Sequence, residues 1–424
     1  MRDKKSIASL SDHTNYKKLK TLELFAGGGG MALGARFSGY ESILALEYEK
    51  NSCSTLRLNS PLLFESSEPL VHEGDVREFI PDPKVHNIDL LLGGPPCQPF
   101  SIGGHKKGFD DSRDLFPEYI RILSNLKPKA FLIENVKGIT AKRFSDYLNF
   151  IHLQLRYVDI LPKKSDTWEG HYKKLLKVNG SPHSSSYTVQ STILNAVNYG
   201  VPQSRERVFI IGFRSDLNIE WKWPKETHSK EALLYSMYVD QSYSKNHKIS
   251  SMKTPPELAP IINKLERMGK PNTLPHKTVR DALIGLPVPT MDKPHPKFHN
   301  HKGIDGARSY PGHTGSYLDL PAKTLKAGVH GCPGGENMVL YPDGKVRYFS
   351  VREAARMQTF PDDYVFVGSR SECMRQIGNA VPVELAKVLT GSIKRHLTES
   401  KELKKSVKRI SAPHEQLSLL DYSP

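Results

Sequence analysis

A doubly wound α/β fold on a mostly parallel sheet, with a second, smaller, loop-rich domain, is the architecture this sequence predicts. Three observations carry it. Short apolar runs alternate with amphipathic stretches of helical length between residues 21 and 213; four glycines follow directly on the first apolar run; and after Phe213 the composition turns to Pro, His, Lys and Gly, over residues 221–348.

The elements follow in order. Residues 21–25, 43–46, 89–92 and 130–133 are short, mostly apolar runs of strand length, the pattern of parallel strands covered on both faces. Residues 31–39, 50–59 and 115–126 read as the helices between them. Residues 190–194 and 207–213 would close the same sheet. Few segments of 221–348 are strongly periodic. The pattern returns at 350–360, and 383–396 reads as a final helix. The expected organisation is therefore an N-terminal extension (1–20), a first domain (21–213) to which the chain returns at 371–396, a second domain (214–370), and a basic, flexible tail (397–424) that holds the charge run of 401–409.

A chain of 424 residues can bury two sizeable cores. Its formal net charge of +15 and pI of about 9.4 suit a polyanionic partner, since each Lys or Arg that meets a phosphate releases bound counterions. The four cysteines, Cys53, Cys97, Cys332 and Cys373, form no CxxC pair, which argues against a disulfide framework or a zinc ribbon and fits a reducing compartment. Residues 1–20 lack the apolar core of a signal peptide, and the longest apolar runs, such as 208–213, are too short to span a bilayer. A soluble, cytoplasmic protein without a membrane partner is expected.

The chemistry-bearing residues cluster at the predicted strand ends. Phe25-Ala26 lead into Gly27-Gly28-Gly29-Gly30, where backbone can approach a ligand closely. Glu47 ends the next strand, where a carboxylate can accept from ribose hydroxyls, and Asp75 sits where a third strand would end. Alone, the glycine turn is a weak signal and also fits a dinucleotide-binding loop through Gly27, Gly29 and Ala32. The decisive segment is Gly93-Gly94-Pro95-Pro96-Cys97-Gln98-Pro99-Phe100-Ser101, in which two prolines fix the backbone ahead of a thiol. A lone Cys is usually a small buried apolar residue, but these surroundings are polar and glycine-rich. Gly103, Gly104 and Gly108, with Lys106 and Lys107, then read as a loop able to close over a substrate. Glu134-Asn135-Val136 ends a further strand. In Gln203-Ser204-Arg205-Glu206-Arg207, alternation puts both arginines on one face, where they would favour the thiolate form of a neighbouring thiol. Six histidines (His276, His295, His299, His301, His313, His330) lack metal-ligand spacing, so no metal is expected, and solvated or phosphate-contacting roles suit them better.

These blocks, with Arg352-Glu353-Ala354-Ala355-Arg356-Met357-Gln358-Thr359-Phe360-Pro361 and Gln376-Ile377-Gly378-Asn379-Ala380-Val381-Pro382, resemble the DNA (cytosine-5) methyltransferases of bacterial restriction-modification type, in the family's order. The resemblance implies an S-adenosylmethionine-dependent methyltransferase fold. It implies that S-adenosylmethionine lies across the strand ends: Phe25 and Tyr48 bracket its adenine, Glu47 holds the ribose, Asp75 meets the adenine amine, and Ala26, Gly27, Gly29, Gly30, Val76, Pro96, Leu115 and Asn379 complete the pocket. Cys97 is implied as the nucleophile on carbon 6 of a flipped-out cytosine, Glu134 as the partner of ring nitrogen 3, and Arg205 and Arg207 as holders of the base and its phosphate. Gln98, Ser101, Thr324 and Leu325 are implied as DNA contacts, the last two within a second domain that reads sequence. The partner is then double-stranded DNA and the enzyme a monomer in a prokaryotic cytoplasm, associated with the nucleoid through DNA and paired with an endonuclease of the same specificity. Three rivals stand beside it: an RNA cytosine methyltransferase of the same family, a nicotinamide-dependent oxidoreductase, and a catalytically silent DNA-binding protein.

Overall fold

The strands β1 (Lys20–Leu24), β2 (Glu41–Glu47), β3 (Val71–Glu73), β4 (Leu90–Gly93), β5 (Ala130–Val136), β6 (Tyr187–Asn195) and β7 (Glu206–Arg214) form one sheet in the order β3-β2-β1-β4-β5-β7-β6. This computed structural model describes residues 18–65, 70–82, 85, 87–96, 114–163, 165–179, 185–311, 314–327 and 337–410, the side chains of 400–410 excepted. Strands β1 to β5 pair in parallel, whereas β7 runs antiparallel to both β5 and β6. The strand order reverses at β1 and β4. A doubly wound sheet opens its ligand crevice outside the carboxyl ends of the strands at such a switch point.

Alternation along the central strands feeds two cores. Leu91, Phe131, Ile133 and Ile210 face α4 (Phe116–Leu126), α5 (Ser145–Arg156) and α6 (Trp168–Asn179), while Leu90, Leu92, Leu132 and Ile211 face α1 (Gly30–Phe37) and the final helix. The helices α2 (Lys50–Leu58) and α3 (Ser60–Leu63) flank β2. The expected strands and first helices are all present, with limits moved by a few residues. The largest extension is in β6, whose ladder with β7 runs from Tyr187↔Arg214 to Asn195↔Glu206 and recruits polar residues at both ends.

Residues 228–283 hold more helix than their weak periodicity suggests. Four helices are present: α7 (Lys230–Leu234), continued by a π-helical turn at Tyr235–Val239, α8 (Ser242–His247), α9 (Ala259–Met268) and α10 (Val279–Leu283). All are short, and two small clusters, around Leu233, Met237 and Tyr243 and around Leu234, Ile262 and Leu265, are their own cores. Five short strands accompany them: β8 (His228–Ser229) pairs with β9 (Leu274–Pro275), and β10 (Ser316–Tyr317), β11 (Met338–Leu340) and β12 (Val346–Tyr348) form a second ribbon. From Val279 onward the chain shares one core with α1 to α3 and with α11 (Val351–Met357) and α12 (Arg370–Asn379); Leu318, Ala322, Leu325 and Phe349 lie in it beside Leu33, Leu56 and Phe366.

Two expectations need correction. The last helix, α13, runs Val383–Ile410 rather than stopping near 396, because the residues beyond it (Glu, Leu, Lys) are strong helix formers without Gly or Pro. His276 and His301 are buried, not solvated: His276 shares a hydrogen bond of 2.9 Å with Asn198 Oδ1, and His301 is held by Ser350 Oγ at 2.8 Å and the Pro287 carbonyl at 2.7 Å. Burial pushes His276 down to about 4, so it stays neutral. His295 is half-buried and His299 exposed, while His313 and His330 lie outside the described residues. Among the described residues no group of three metal-ligating side chains converges, and no helix is long and apolar enough to cross a membrane.

Candidate active site

The crevice at the switch point is a cavity of about 1030 Å³, walled by the loops after β1, β2, β3, β4 and β5, by the start of β7 and by the end of α12. That size exceeds a nucleoside cofactor and leaves room for a second group.

Its first wall follows β1. Phe25 takes φ 57°, a left-handed conformation that costs an aromatic residue energy and clusters at ligand sites. The Gly27 N–H donates to Glu47 Oε2 at 2.7 Å, and the Glu49 N–H donates to Glu47 Oε1 at 2.9 Å. Each oxygen of Glu47 keeps a lone pair for a hydroxyl. Burial holds its carboxyl above the usual carboxylate range, against those backbone donors. Tyr48 stands 75% exposed on the lip. Asp75 is oriented by Arg77, whose backbone N–H and Nε both donate to Oδ1 at 2.9 Å; the hydrogen-bonded guanidinium holds this carboxyl below its ordinary value.

The opposite wall carries one carboxylate and two guanidinium groups. The Asn135 amide donates to the Pro95 carbonyl at 2.9 Å and the Leu115 N–H to the Pro96 carbonyl at 3.3 Å, which pins the turn after β4. Glu134 is 8% exposed, and its Oε1 lies 3.1 Å from Arg207 Nε. Because β7 is antiparallel to β5, the residues that open β7 reach the edge where β5 ends. Arg205, 1% exposed, donates through Nη2 to the Gly378 carbonyl at 2.8 Å, and among the described residues its Nε and Nη1 meet no partner. Burial pushes this guanidinium down to about 9, with the charge of Arg207 adding and that of Glu134 opposing. A buried guanidinium with donors to spare suits a group that offers acceptors.

Most sequence-derived residues meet here. Phe25, Ala26, Gly27, Gly30, Glu47, Tyr48, Asp75, Val76, Pro96, Leu115, Asn379, Glu134, Arg205 and Arg207 all line the cavity. Gly29 does not. It takes φ 79° at the cap of α1, and a Cβ there would lie 2.6 Å from Tyr364 Oη, so its lack of a side chain serves packing. Leu325 is likewise corrected: it is 1% exposed within the shared core and cannot present its side chain to DNA, because its backbone is drawn inward by Gln203. Thr324 is half-buried, with Oγ1 donating to the Ser204 carbonyl at 2.7 Å. Cys97, Gln98 and Ser101 lie outside the described residues, although Pro96, the chain neighbour of Cys97, is on the cavity wall. Of the other cysteines, Cys53 and Cys373 are buried, and burial pushes their thiols up to about 12 and about 11, so neither offers a ready thiolate.

Sequence reasoning missed Glu23 and Arg375. Glu23 is fully buried under the glycine loop and accepts from the Ala32 N–H at 2.8 Å; its signal was an acid inside an apolar strand. Arg375 pairs with Glu49 at 3.0 Å and ties the loop after β2 to α12. Nothing in its own neighbourhood of sequence marks that partner.

Comparison with known proteins agrees with the geometry. The profile of the C-5 cytosine-specific DNA methylase family matches residues 19–159 and 163–395. The type II methyltransferase M.NgoPII of Neisseria gonorrhoeae is 32% identical over 399 residues, 91% of this chain and 98% of its own length. M.FnuDI of Fusobacterium nucleatum is 31% identical over 410 residues, 92% of this chain and 98% of its own. Among solved structures, a putative DNA modification methyltransferase encoded within an E. coli prophage superposes with a TM-score of 0.57 at 22% identity, covering 90% of this chain and 100% of that one.

Proposed function

This chain belongs to the C-5 cytosine-specific DNA methylase family, and from that premise we propose how its residues divide the transfer of a methyl group to carbon 5 of cytosine in DNA. The observation that carries the assignment is the buried Arg205, whose Nε and Nη1, unpartnered among the described residues, sit on the cavity wall beside Glu134.

S-adenosylmethionine fits the other half of the cavity. Phe25, Val76 and Leu115 offer apolar surface to a base, Tyr48 an aromatic face at the lip, Glu47 and Asp75 fixed acceptors, and the loop of Gly27 close approach. When bound, the cofactor supplies an electrophilic methyl group on a sulfonium.

The rest falls to the chain. Carbon 5 of cytosine is a poor nucleophile until a thiolate adds to carbon 6 and makes the ring enamine-like. Cys97 is the residue we assign to that addition. Glu134 hydrogen-bonds or protonates nitrogen 3 as charge develops on the ring, and Arg205 donates to the base through the nitrogens it does not use internally. Arg207 holds Glu134 in place and faces the local phosphate. A base then takes the carbon-5 proton, the bond from sulfur to carbon 6 breaks, and the thiolate is regenerated. None of these atoms can be reached in a stacked duplex, so the cytosine is flipped out.

Residues 214–370 carry target recognition in this reading, with Thr324 at the DNA and double-stranded DNA as the substrate. The named relatives are type II methyltransferases. We read the chain as the modification enzyme of such a system, a monomer of the prokaryotic cytoplasm that shares its specificity with an endonuclease. The test is transfer of radiolabelled methyl from S-adenosylmethionine to duplex DNA and to RNA, followed by bisulfite sequencing. Label at carbon 5 of cytosine within one DNA sequence is expected. Label in RNA alone, or none, overturns the reading.

A further inference from the structure

Behind the cavity wall, four segments far apart in sequence meet at two side-chain amides, Gln203 and Gln358, neither with any solvent exposure. Gln203 accepts the Leu325 N–H at Oε1 (2.9 Å) and donates through Nε2 to Gln358 Oε1 (3.1 Å) and to the Met357 carbonyl (3.3 Å). Gln358 donates through Nε2 to the carbonyls of Ile377 (2.7 Å) and Ala380 (3.1 Å), where α12 ends and the regular ladder of backbone donors runs out. Each amide works as acceptor and donor at once, and neither Glu nor Leu can do both.

The arms of this node end on working parts of the enzyme. Arg205 lies two residues beyond Gln203 and donates to the Gly378 carbonyl. Asn379, on the cofactor rim, lies between the two carbonyls that Gln358 holds. The segment 322–327 is stitched to 202–204: the Ala322 N–H donates to the Pro202 carbonyl (2.9 Å), the Ser204 N–H to the Ala322 carbonyl (2.8 Å), and Thr324 Oγ1 to the Ser204 carbonyl (2.7 Å). The same segment rests on the cofactor rim, since a Cβ on Gly378 would come within 2.7 Å of the Ala327 nitrogen. Next to Gln358, Thr359 holds φ 59°, a left-handed conformation costly for a β-branched residue, kept by bonds from Thr359 Oγ1 to the Gln358 carbonyl and from the Glu384 N–H to that Oγ1.

We propose that Gln203 and Gln358 are positioning residues that couple DNA engagement at segment 322–327 to the cofactor rim at 376–381, so that DNA and cofactor bind cooperatively and Arg205 is set for the base when both are present. The inference rests on the reading above, in which Thr324 meets DNA. Such coupling is reciprocal: each ligand tightens the other by one common factor.

The test uses the intact enzyme and the duplex whose site bisulfite sequencing identifies. S-adenosylhomocysteine is titrated by calorimetry with and without that duplex, and the duplex by fluorescence anisotropy with and without S-adenosylhomocysteine. The wild type should show the same factor in both directions, about fivefold or more. Gln203→Glu keeps the acceptor for Leu325 and removes the donor to Gln358; Gln358→Met removes both of its functions. In each variant the factor should fall to about one, with kcat lowered more than KM. A wild-type factor of one overturns the proposal. So do folded variants that lose affinity or melting temperature but keep the factor, since that is the mark of a merely structural role. If neither variant folds, the factor is read on Thr324→Val, which unhooks the strand from Ser204; a fall of about threefold supports the coupling and an unchanged factor overturns it. Absence of any DNA methylation would instead strike the functional reading and is seen before the titrations begin.

Discussion

Arg207 grips Glu134 across two antiparallel strands, Nε to Oε1 at 3.1 Å, with only 18% and 10% of their side-chain surfaces in water. Removing one member of a mostly buried pair strands the other charge. Arg207→Ala should therefore cost stability at the lower end of roughly 3–5 kcal/mol, because the site is near a rim. The double variant Arg207→Ala/Glu134→Ala should lose less than the two singles together. Urea denaturation of all four proteins measures this, and strict additivity would mean that the pair is not coupled.

Cys97→Ala should abolish methyl transfer and leave DNA affinity within about twofold, since the thiol is needed for bond formation rather than for docking. A duplex with 5-fluorocytosine at the target should trap the wild-type protein as a species that survives denaturing electrophoresis, because the proton that must leave is replaced. Turnover by Cys97→Ala would end the covalent mechanism.

Glu47 gives a pH dependence with a definite sign. Burial raises its carboxyl above 4.5, so the folded protein holds this proton more tightly than the unfolded chain. Its contribution to stability is thus present below about 4.5 and lost as pH rises through the folded value. On the proposed reading cofactor affinity runs the other way, because the ionised carboxylate would then be the acceptor. S-adenosylhomocysteine binding should weaken as pH falls through that raised value, at a pH above 4.5. Glu47→Ala should bind the cofactor about tenfold more weakly at neutral pH, keep its DNA affinity, and show no such step. Calorimetry across pH on both proteins decides it, and equal weakening of both ligands would make Glu47 structural.

Gly29→Ala should be a stability variant and not a cofactor variant. The added methyl meets Tyr364 Oη at 2.6 Å and Leu56 Cδ2 at 2.8 Å, in a backbone conformation with φ 79°. A loss of about 2–3 kcal/mol is expected from the clash and the strained torsion together. The folded fraction should still bind S-adenosylhomocysteine as the wild type does. A stable Gly29→Ala with weakened cofactor binding would return this residue to the pocket.

Thr324 and Leu325 are neighbours that should fail in different ways. Thr324→Ala should relax or weaken recognition by about 1–3 kcal/mol if its side chain touches a base edge. Leu325→Ala empties a fully packed core position and should cost about 2–5 kcal/mol of stability with the methylated sequence unchanged. Bisulfite sequencing and thermal melting on both variants separate the outcomes. A changed target sequence in a folded Leu325→Ala would contradict the packing.

What could be read in the sequence was local. Phe25 to Gly30, Glu47 and Glu134 each lie at the end of a strand that announces itself as an apolar run, so their shared edge follows from the parallel arrangement alone, whereas Asp75 follows Val71-His72-Glu73, a strand with no apolar run to mark it. The antiparallel course of β7, which decides where Arg205 and Arg207 arrive, left no mark in composition, because an inverted strand carries the same apolar pattern. Leu325 and Gly29 were misplaced for the same reason: burial there is set by partners such as Gln203 and Tyr364, 122 and more than 300 positions away. The helices of 230–268 were hidden by their shortness, since two small cores ask for only two or three apolar residues each.

The packing of α13 has a consequence for how the protein is made. Leu385, Ala386, Leu389 and Ile393 cover the face of the sheet that presents Leu90, Leu92, Leu132 and Ile211. All seven strands leave the ribosome with Arg214, and this cover follows only after the entire intervening region has been translated. At about 5–20 residues per second the gap is on the order of ten to forty seconds. For that interval the face that presents these residues has α1 but lacks α13, so part of its apolar surface has no cover from the last helix. Chaperone dependence during synthesis should therefore respond to the length of the segment inserted between β7 and α13, even when that segment is itself well folded.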